Sequence, residues 1–258
     1  MSLQKKVAVL TGACGGIGQA VTRRLVALGA RVLATDLSED SLAALQRELG
    51  DAVATMVLDV TDYDAVVGAM DLAVETFGQL DIVLNNAGIG AAKPLLEHEP
   101  AADFDTITAV NQHGVYYGIL AAGRKFVELG RPGVIVNTSS VYGTMASELS
   151  FSYNVSKAAV DMMTKCAALE FAPQNIRVCA VAPGRVNTPI LEHYKTLGLL
   201  EHITREQMRE RLIEPEELAN VVAFLASDEA SCINGTTVEA GDGFCGFKYP
   251  LTQRFASE

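Results

Sequence analysis

The sequence alternates short apolar runs with segments of helical periodicity over almost its whole length. The apolar runs that we interpret as strands are Val7–Leu10, Val32–Thr35, Val53–Val57, Ile82–Leu84, Gly133–Thr138, Ile176–Val181 and Thr237–Glu239. Strands that are separated by helices form right-handed βαβ units and a parallel sheet. The alternation therefore predicts an α/β fold, a doubly wound parallel sheet of about seven strands with helices on both faces. Because no linker-like run divides the chain, we expect a single domain over residues 1–258.

The first strand is followed by a glycine-rich turn and then by helical periodicity. The turn reads Thr11-Gly12-Ala13-Cys14-Gly15-Gly16-Ile17-Gly18. Strand, glycine turn and helix in this order are typical of a Rossmann phosphate site, where glycines let the backbone approach a pyrophosphate at the helix N-terminus. Asp36 ends the second strand, 18 residues past Gly18, where a dinucleotide fold contacts the adenosine ribose hydroxyls. A helix cap or a solvated turn is the alternative role for Asp36.

Polar residues and a second turn follow several of the other predicted strands. Asp59, Asn86, Ser140 and Pro183-Gly184 each lie at or just past a strand end. Ligands of parallel sheets bind beyond the carboxyl ends of the strands. We therefore expect one crevice to collect these residues together with Asp36.

Tyr153 and Lys157 form a candidate acid/base pair. They are four residues apart in a segment of helical periodicity that stops at Pro173, so we expect both side chains on one helix face. Free tyrosine has a pKa of about 10, and a general base near ambient pH needs a pKa lower by roughly 2 to 3. One ammonium roughly 5 Å away contributes on the order of 3 kcal/mol, which lowers the pKa by a little over 2.

Composition excludes several classes of function. The net charge of −11 and the pI near 4.9 argue against nucleic acid or an anionic membrane as a partner. Five cysteines without CxxC spacing predict reduced thiols in a cytoplasmic protein. The four histidines lack metal-ligand spacing, so no metal site is expected. No apolar run has membrane-spanning length, and the start of the chain has no signal-peptide core.

Taken together, the motifs resemble the classical short-chain dehydrogenase/reductase family from Val7 to about Gly243. The motifs that carry the resemblance are the TGxxxGxG turn, Asp59, Asn86-Ala87-Gly88, Asn111, Ser140, Tyr153-x-x-x-Lys157, and Pro183-Gly184 with Thr188. Their order and spacing match the family pattern. The chain is therefore expected to bind a nicotinamide dinucleotide.

The resemblance implies a role for each matching residue. Tyr153 would be the acid/base, and Ser140 would bond the substrate oxygen. Lys157 would lower the tyrosine pKa and hold the nicotinamide ribose, and Asn111 would anchor a proton-relay water. Ser139 is the alternative to Ser140, which has the family's thirteen-residue spacing to Tyr153. The residues implied in cofactor binding are Gly12, Gly16, Ile17, Gly18, Asp36, Asp59, Val60, Asn86, Ala87, Gly88, Tyr153, Lys157, Pro183, Gly184, Val186 and Thr188.

The expected activity is hydride exchange between NAD and a secondary alcohol or the matching ketone. Asp36 favours NAD because its carboxylate would repel a 2′-phosphate, and Gly15 and Leu37 stand where NADP-binding relatives often carry a cation. One alternative is an NADPH-dependent 3-oxoacyl thioester reductase, against which Asp36 counts. Another is a catalytically silent dinucleotide-binding regulator, against which the intact catalytic set counts.

Residues 188–212 and the C-terminus carry further expectations. Mixed apolar and polar residues over 188–212 predict a pair of helices that form a mobile lid over a mostly apolar, uncharged substrate. The resemblance implies a homotetramer, and Phe244, Phe247, Tyr249 and Phe255 suggest a tail buried against a partner. Val238 to Gly243 departs from the family's usual valine-aspartate-glycine-glycine run. We interpret Arg185 as a solvated arginine, with a substrate carboxylate as its alternative partner.

Overall fold

The structure, a computed structural model, describes residues 1–90, 92–191, 194, 196 and 198–246. These residues contain a parallel sheet of seven strands in the order β3-β2-β1-β4-β5-β6-β7. The strands are β1 (Val7–Thr11), β2 (Arg31–Asp36), β3 (Val53–Val57), β4 (Ile82–Asn85), β5 (Gly133–Thr138), β6 (Ile176–Pro183) and β7 (Thr237–Ala240). The strand order reverses between β1 and β4, which is the point where open α/β sheets bind ligands.

Helices connect the strands and cover both faces of the sheet. They are α1 (Gly16–Ala27), α2 (Glu39–Leu49), α3 (Tyr63–Phe77), α4 (Thr106–Thr108), α5 (Gly114–Glu128), α6 (Phe151–Phe171), α7 (Leu200–Thr204) and α8 (Pro215–Ala226). One hydrophobic core lies between the sheet and α1, α2 and α8, and the other lies against α3, α5 and α6. Neighbouring strand residues point to opposite cores, as Val32 and Leu33 do. The predicted doubly wound parallel sheet is confirmed.

A buried row of polar side chains joins the middle of the sheet to α6. Asn85 Nδ2 donates to Asn137 Oδ1 at 2.9 Å, and Asn137 Nδ2 donates to Thr164 Oγ1 at 2.9 Å. Thr164 Oγ1 in turn donates to the Val160 carbonyl. Buried polar groups are costly unless they are bonded, so this chain fixes α6 against β4 and β5 in one register.

The segment before α5 differs from the sequence prediction. Helical periodicity in the sequence predicts two separate helices here, from about Pro100 to Val110 and from about His113 to Leu129. The structure instead has one unbroken helical run, in which π-helical turns at Pro100–Asp105 and Ala109–His113 flank α4. Wide turns of this kind often mark functional positions in helices, and the second one contains Asn111.

The predicted helix pair over residues 188–212 is found in part. The described residues there form a short 3₁₀ turn at Pro189–Leu191 and the single-turn helix α7. His193, Lys195 and Leu197 lie outside the described residues, as do Phe247, Tyr249 and Phe255 of the C-terminal tail. Phe244 is buried within its own chain, where its ring meets Tyr142 edge-on at 5.4 Å. In the part of the chain that the structure describes, none of the helices combines the length and hydrophobicity needed to cross a membrane.

Substitutions of two helical glycines, Gly118 and Gly68, can test the packing of α5 on β4. A β-carbon at Gly118 of α5 would overlap Asn85 Oδ1, whereas one at Gly68 of α3 would meet only the Met56 methyl at 3.9 Å. We predict that Gly118→Ala lowers the free energy of unfolding by about 3 kcal/mol, because it displaces a buried amide from its partner. Gly68→Ala should raise it by about 0.5 to 1 kcal/mol through helix propensity. Urea unfolding measures both variants, and equal stability of the two would contradict the packing of α5 on β4.

Candidate active site

The glycine turn after β1 is braced by the residues that follow β4. Thr11 Oγ1 accepts hydrogen bonds from the backbone N–H groups of Asn86 and Ala87, both at 3.1 Å. Asn86 Nδ2 donates to the Thr11 and Gly12 carbonyls at 3.1 and 3.0 Å. Gly12 has a φ of +66°, and a β-carbon there would lie 2.7 Å from Ala87 Cα. The turn therefore needs glycine at this position, and Asn86 holds it in place at the N-terminus of α1.

Asp36 is fixed at the end of β2 by backbone donors. Its Oδ2 accepts from Cys14 N at 2.9 Å, and its Oδ1 accepts from Leu37 N at 2.8 Å. The N-cap of α2 is Ser38, whose side chain accepts from Ser41 N, so the alternative of Asp36 as the cap of that helix is wrong. Oδ1 also accepts a longer bond from Ser38 N at 3.4 Å, so the remaining acceptor capacity lies on Oδ2.

Two cavities with shared walls lie along the carboxyl edge of the sheet. The first, of 490 Å³, extends from Asp36 past the glycine turn, and the second, of 360 Å³, reaches Tyr153. The residues that line both are Ile17, Asn86, Gly88 and Thr188. A β-carbon at Gly16 would lie 2.8 Å from Thr188 Cγ2, so only glycine leaves room for a ligand beside the start of α1. An elongated space with a helix N-terminus midway suits a dinucleotide.

The cavities contain almost the whole predicted site. The cofactor residues in the first cavity are Gly12, Gly16, Ile17, Gly18, Asp36, Asp59, Val60, Asn86, Ala87, Gly88 and Thr188. The predicted residues in the second are Ile17, Asn86, Gly88, Ser140, Tyr153, Lys157, Pro183, Gly184, Val186 and Thr188. Asn111 lies behind this wall and is fully buried. Folding thus brings segments of distant sequence to one crevice.

Tyr153 and Lys157 share one face of α6, as their spacing predicts. Lys157 Nζ lies 5.6 Å from the centre of the Tyr153 ring and donates to the Thr138 carbonyl at 2.8 Å. Ser140 follows β5 and lines the same cavity. Its hydroxyl accepts from Tyr142 N at 3.2 Å and interacts with the Tyr153 hydroxyl. A hydroxyl, a phenol and an ammonium therefore converge beside space for a small molecule.

The comparisons with known proteins agree with this geometry. A family model described as Enoyl-(Acyl carrier protein) reductase matches residues 12–245. The chain is 38% identical over 252 residues to 3beta-hydroxysteroid dehydrogenase 2 of Eggerthella lenta, with 95% of this chain and 96% of the relative covered. It is 38% identical over 246 residues to 3-oxoacyl-(acyl-carrier-protein) reductase FabG of Thermotoga maritima, with 94% and 99% covered. The chain belongs to the classical short-chain dehydrogenase/reductase family.

A solved structure of this oxidoreductase family has the same fold. The crystal structure of 3-ketoacyl-(acyl-carrier-protein) reductase from Brucella melitensis complexed with NADH matches with a TM-score of 0.88. The two chains are 33% identical, and the match covers 94% of this chain and 99% of that one. The chain therefore has the Rossmann fold of this family, as the glycine turn after β1 predicted.

Burial controls the charge of both central side chains in this short-chain dehydrogenase/reductase. Burial raises the pKa of the Tyr153 hydroxyl, while the Ser140 hydrogen bond and the positive charge of Arg185 act in the opposite direction. Burial also lowers the pKa of Lys157 to about 8, against the opposing charge of Asp161. The Tyr153 pKa is therefore above its ordinary value in the cofactor-free chain, whereas the sequence interpretation required a lower one.

The two serines before Tyr153 have different surroundings. Ser139 Oγ donates to the Lys157 carbonyl at 3.3 Å and thereby ties the end of β5 to α6. Ser140, by contrast, interacts with the Tyr153 side chain. This arrangement favours Ser140 over Ser139 as the group beside a substrate oxygen.

Asn111 supports the loop after β4 from within the π-helical turn. Its Oδ1 accepts from Ile89 N, and its Nδ2 donates to Ile89 O, both at 2.8 Å. The same Nδ2 also donates to Ser156 Oγ at 3.2 Å. The side-chain amide therefore ties the loop after β4 to α6.

Arg185 is the residue that the sequence interpretation placed wrongly. It is 7% exposed rather than solvated, and it lines the cavity with Tyr153. Its guanidinium lies 5.0 Å from the ring centres of both Tyr142 and Tyr194, and its Nε donates to Glu206 at 2.7 Å. Only one feature of the sequence indicated that Arg185 belongs to the site, namely its position directly after the Pro183-Gly184 turn at the end of a strand.

The buried ammonium of Lys157 should destabilise the fold below its pKa. Unfolded lysine has a pKa of about 10.4, so a folded pKa of about 8 corresponds to a penalty of about 3 kcal/mol. The penalty is complete below pH 8 and disappears as the pH rises from 8 to 10.4. We predict that Lys157→Met, which also loses one hydrogen bond, raises the Tm of cofactor-free protein by about 2 to 6 °C at pH 7.

Thermal unfolding of the native protein and of Lys157→Met at pH 7 and pH 10 tests the direction of this change in Tm. The advantage of the variant should shrink or reverse at pH 10. The matched control is Lys165→Met, because Lys165 is exposed on the same helix and should show no such dependence on pH. A Tm difference between native protein and Lys157→Met that is the same at both pH values would contradict the buried ammonium.

Proposed function

We propose that the protein is an NAD-dependent dehydrogenase that exchanges a hydride with a secondary alcohol or the matching ketone. The observation that carries the proposal is the convergence of Ser140, Tyr153 and Lys157 on a cavity that continues into the dinucleotide-shaped space beside Asp36. A regulator that only bound the dinucleotide would have no need for this polar set beside an open space. The bound nicotinamide would accept or supply the hydride.

The side chains of the site have distinct tasks in this proposal. Ser140 holds the substrate oxygen, and Tyr153 takes the alcohol proton as the carbinol hydrogen leaves with its electron pair, or returns that proton in ketone reduction. Lys157 would support the tyrosinate and would hold the nicotinamide ribose of a bound cofactor. Its present hydrogen bond to the Thr138 carbonyl aims the ammonium at the floor of the cavity. Burial of the tyrosine favours its protonated form, which suits the proton donor that reduction needs.

We predict that Tyr153→Phe lowers kcat by about 10²- to 10⁴-fold, because it removes the proton-transfer group and little else. Its Kd for NAD should stay within about threefold of native. A screen of secondary alcohols and ketones that follows the absorbance of the reduced cofactor measures kcat, and fluorescence titration measures binding. Tyr63→Phe is the matched control, since Tyr63 lies outside both cavities, where its hydroxyl accepts a hydrogen bond from Arg124. Turnover near the native rate in Tyr153→Phe would refute the assignment.

The cofactor preference follows from charge at the adenosine end. Asp36 is held there by the backbone N–H groups of Cys14, Leu37 and Ser38, and its Oδ2 keeps acceptor capacity for a ribose hydroxyl. Among the described residues that line this cavity there is no lysine or arginine to meet a 2′-phosphate. A repulsion of roughly 2 to 3 kcal/mol corresponds to about 30- to 150-fold preference for NAD.

The double variant Asp36→Ala with Leu37→Arg should reduce or reverse this preference, because it removes the carboxylate and adds a cation beside the 2′ position. The measurement is the ratio of kcat/KM for NAD to that for NADP. Leu37→Ala changes no charge and should keep the native ratio. Native protein that prefers NADP would contradict our reading of Asp36.

A 3-oxoacyl thioester reductase is the second candidate function. The names of the relatives from Thermotoga maritima and Brucella melitensis favour it, and the latter was crystallised with NADH. The name of the Eggerthella lenta relative favours a hydroxysteroid or similar alcohol. The two classes differ in the substrate accepted rather than in the step that Tyr153 performs.

We also propose that the protein forms a homotetramer and that residues 188–212 form a mobile lid. Exposed apolar residues at seven-residue intervals on α6, Val155, Met162 and Leu169, face outward, as do Tyr116 and Val127 of α5. Burial of this face between subunits supports a homotetramer of single-domain chains. Residues 188–212 would cover the substrate as a lid.

A further inference from the structure

Arg185 lines the cavity that contains Tyr153 and not the cavity beside Asp36. It directly follows the Pro183-Gly184 turn at the end of β6, and its backbone is fixed on both sides. Arg185 N donates to Gln207 Oε1 at 2.7 Å, and Ile213 N donates to Arg185 O at 2.9 Å. The guanidinium is therefore a permanent part of the wall rather than a mobile surface group.

Glu206 neutralises that guanidinium through an ion pair. The Arg185 Nε to Glu206 Oε2 distance is 2.7 Å, and the Tyr142 hydroxyl donates to the same oxygen at 3.4 Å. The guanidinium lies 5.0 Å from the ring centres of Tyr142 and Tyr194. Lys157 is the other charged residue among the described residues lining the cavity, and it is bonded to the Thr138 carbonyl. A ligand thus meets a wall without net charge at this end.

We propose that the Arg185–Glu206 pair makes the site selective for uncharged alcohols and ketones, and that Glu206 is the residue that excludes anionic substrates. The inference rests on the proposed dehydrogenase function and names the substrate class of the same site. A substrate carboxylate that approached Arg185 would have to displace Glu206 or lie within a few ångströms of it, and like charges at that distance repel. Selectivity therefore comes from a repulsive group as well as from the apolar wall.

Removal of the Glu206 charge should reverse this selectivity. An arginine left unpaired in a partly buried site attracts an anion, because breaking a buried pair leaves an uncompensated charge. Glu206→Gln would then offer the guanidinium to a substrate carboxylate. Arg185→Met should act in the opposite direction, because it leaves the Glu206 carboxylate without its cation beside the cavity wall.

The test uses two probes that differ in charge and by one methyl group, 4-(1-hydroxyethyl)benzoate and its methyl ester, oxidised with NAD. The native protein should prefer the ester by at least tenfold in kcat/KM. Glu206→Gln should raise the acid-to-ester ratio at least tenfold, whereas Arg185→Met should lower it. In the double variant Glu206→Gln with Arg185→Met, the increase in the acid-to-ester ratio should disappear. Glu201→Gln is the matched control, since its exposed partner Arg205 lies on the surface of the same segment and the ratio should not change.

Three results would overturn the inference. The first is a native protein that oxidises the acid as efficiently as the ester, or more efficiently. The second is an acid-to-ester ratio that stays at the native value in both Glu206→Gln and Arg185→Met. The third is a gain for the acid that persists without Arg185. Failure of the proposed function has a different signature, because it would appear as full turnover in Tyr153→Phe whatever the charge of the probe.

Discussion

The buried ammonium of Lys157 is the interaction on which the site depends. It lies beneath the Tyr153 ring, bonds the Thr138 carbonyl at the end of β5, and is 3% exposed. Such a burial is unfavourable by itself, so the surrounding structure must impose it. Ser139 does so by donating to the Lys157 carbonyl, and the buried row that ends at Thr164 fixes α6 further along. Local instability at the site is thus balanced by polar bonds between α6 and the sheet.

The electrostatics of the site indicate what the cofactor must contribute. Burial raises the pKa of Tyr153 and lowers that of Lys157, and both shifts favour the uncharged forms. A tyrosinate beside an ammonium, which alcohol oxidation requires, is therefore disfavoured in the cofactor-free chain. The positive charge of Arg185 supports the tyrosinate, although Glu206 offsets much of it. Binding of an oxidised nicotinamide would add positive charge where the tyrosinate needs it.

Much of the fold could be predicted from sequence, because buried parallel strands are continuous apolar runs between helical segments. The predicted and observed bounds agree for Val53–Val57 and Gly133–Thr138, and other strands differ by one or two residues at their ends. The π-helical turn at Ala109–His113 was missed, since its wide turn comes from the tertiary bonds of Asn111 rather than from local propensity. The burial of Arg185 was missed because Glu206 lies 21 residues away in a segment without clear periodicity.

The central claim is that hydride passes directly between the substrate carbon and a nicotinamide held in this crevice. The most direct measurement uses methyl 4-(1-hydroxyethyl)benzoate that carries deuterium on its carbinol carbon. After incubation with the protein and NAD, mass spectrometry of the reduced cofactor should find one deuterium per molecule, on the transferred position of the nicotinamide. Reduced cofactor without deuterium, or ketone formed without reduction of NAD, would contradict the account.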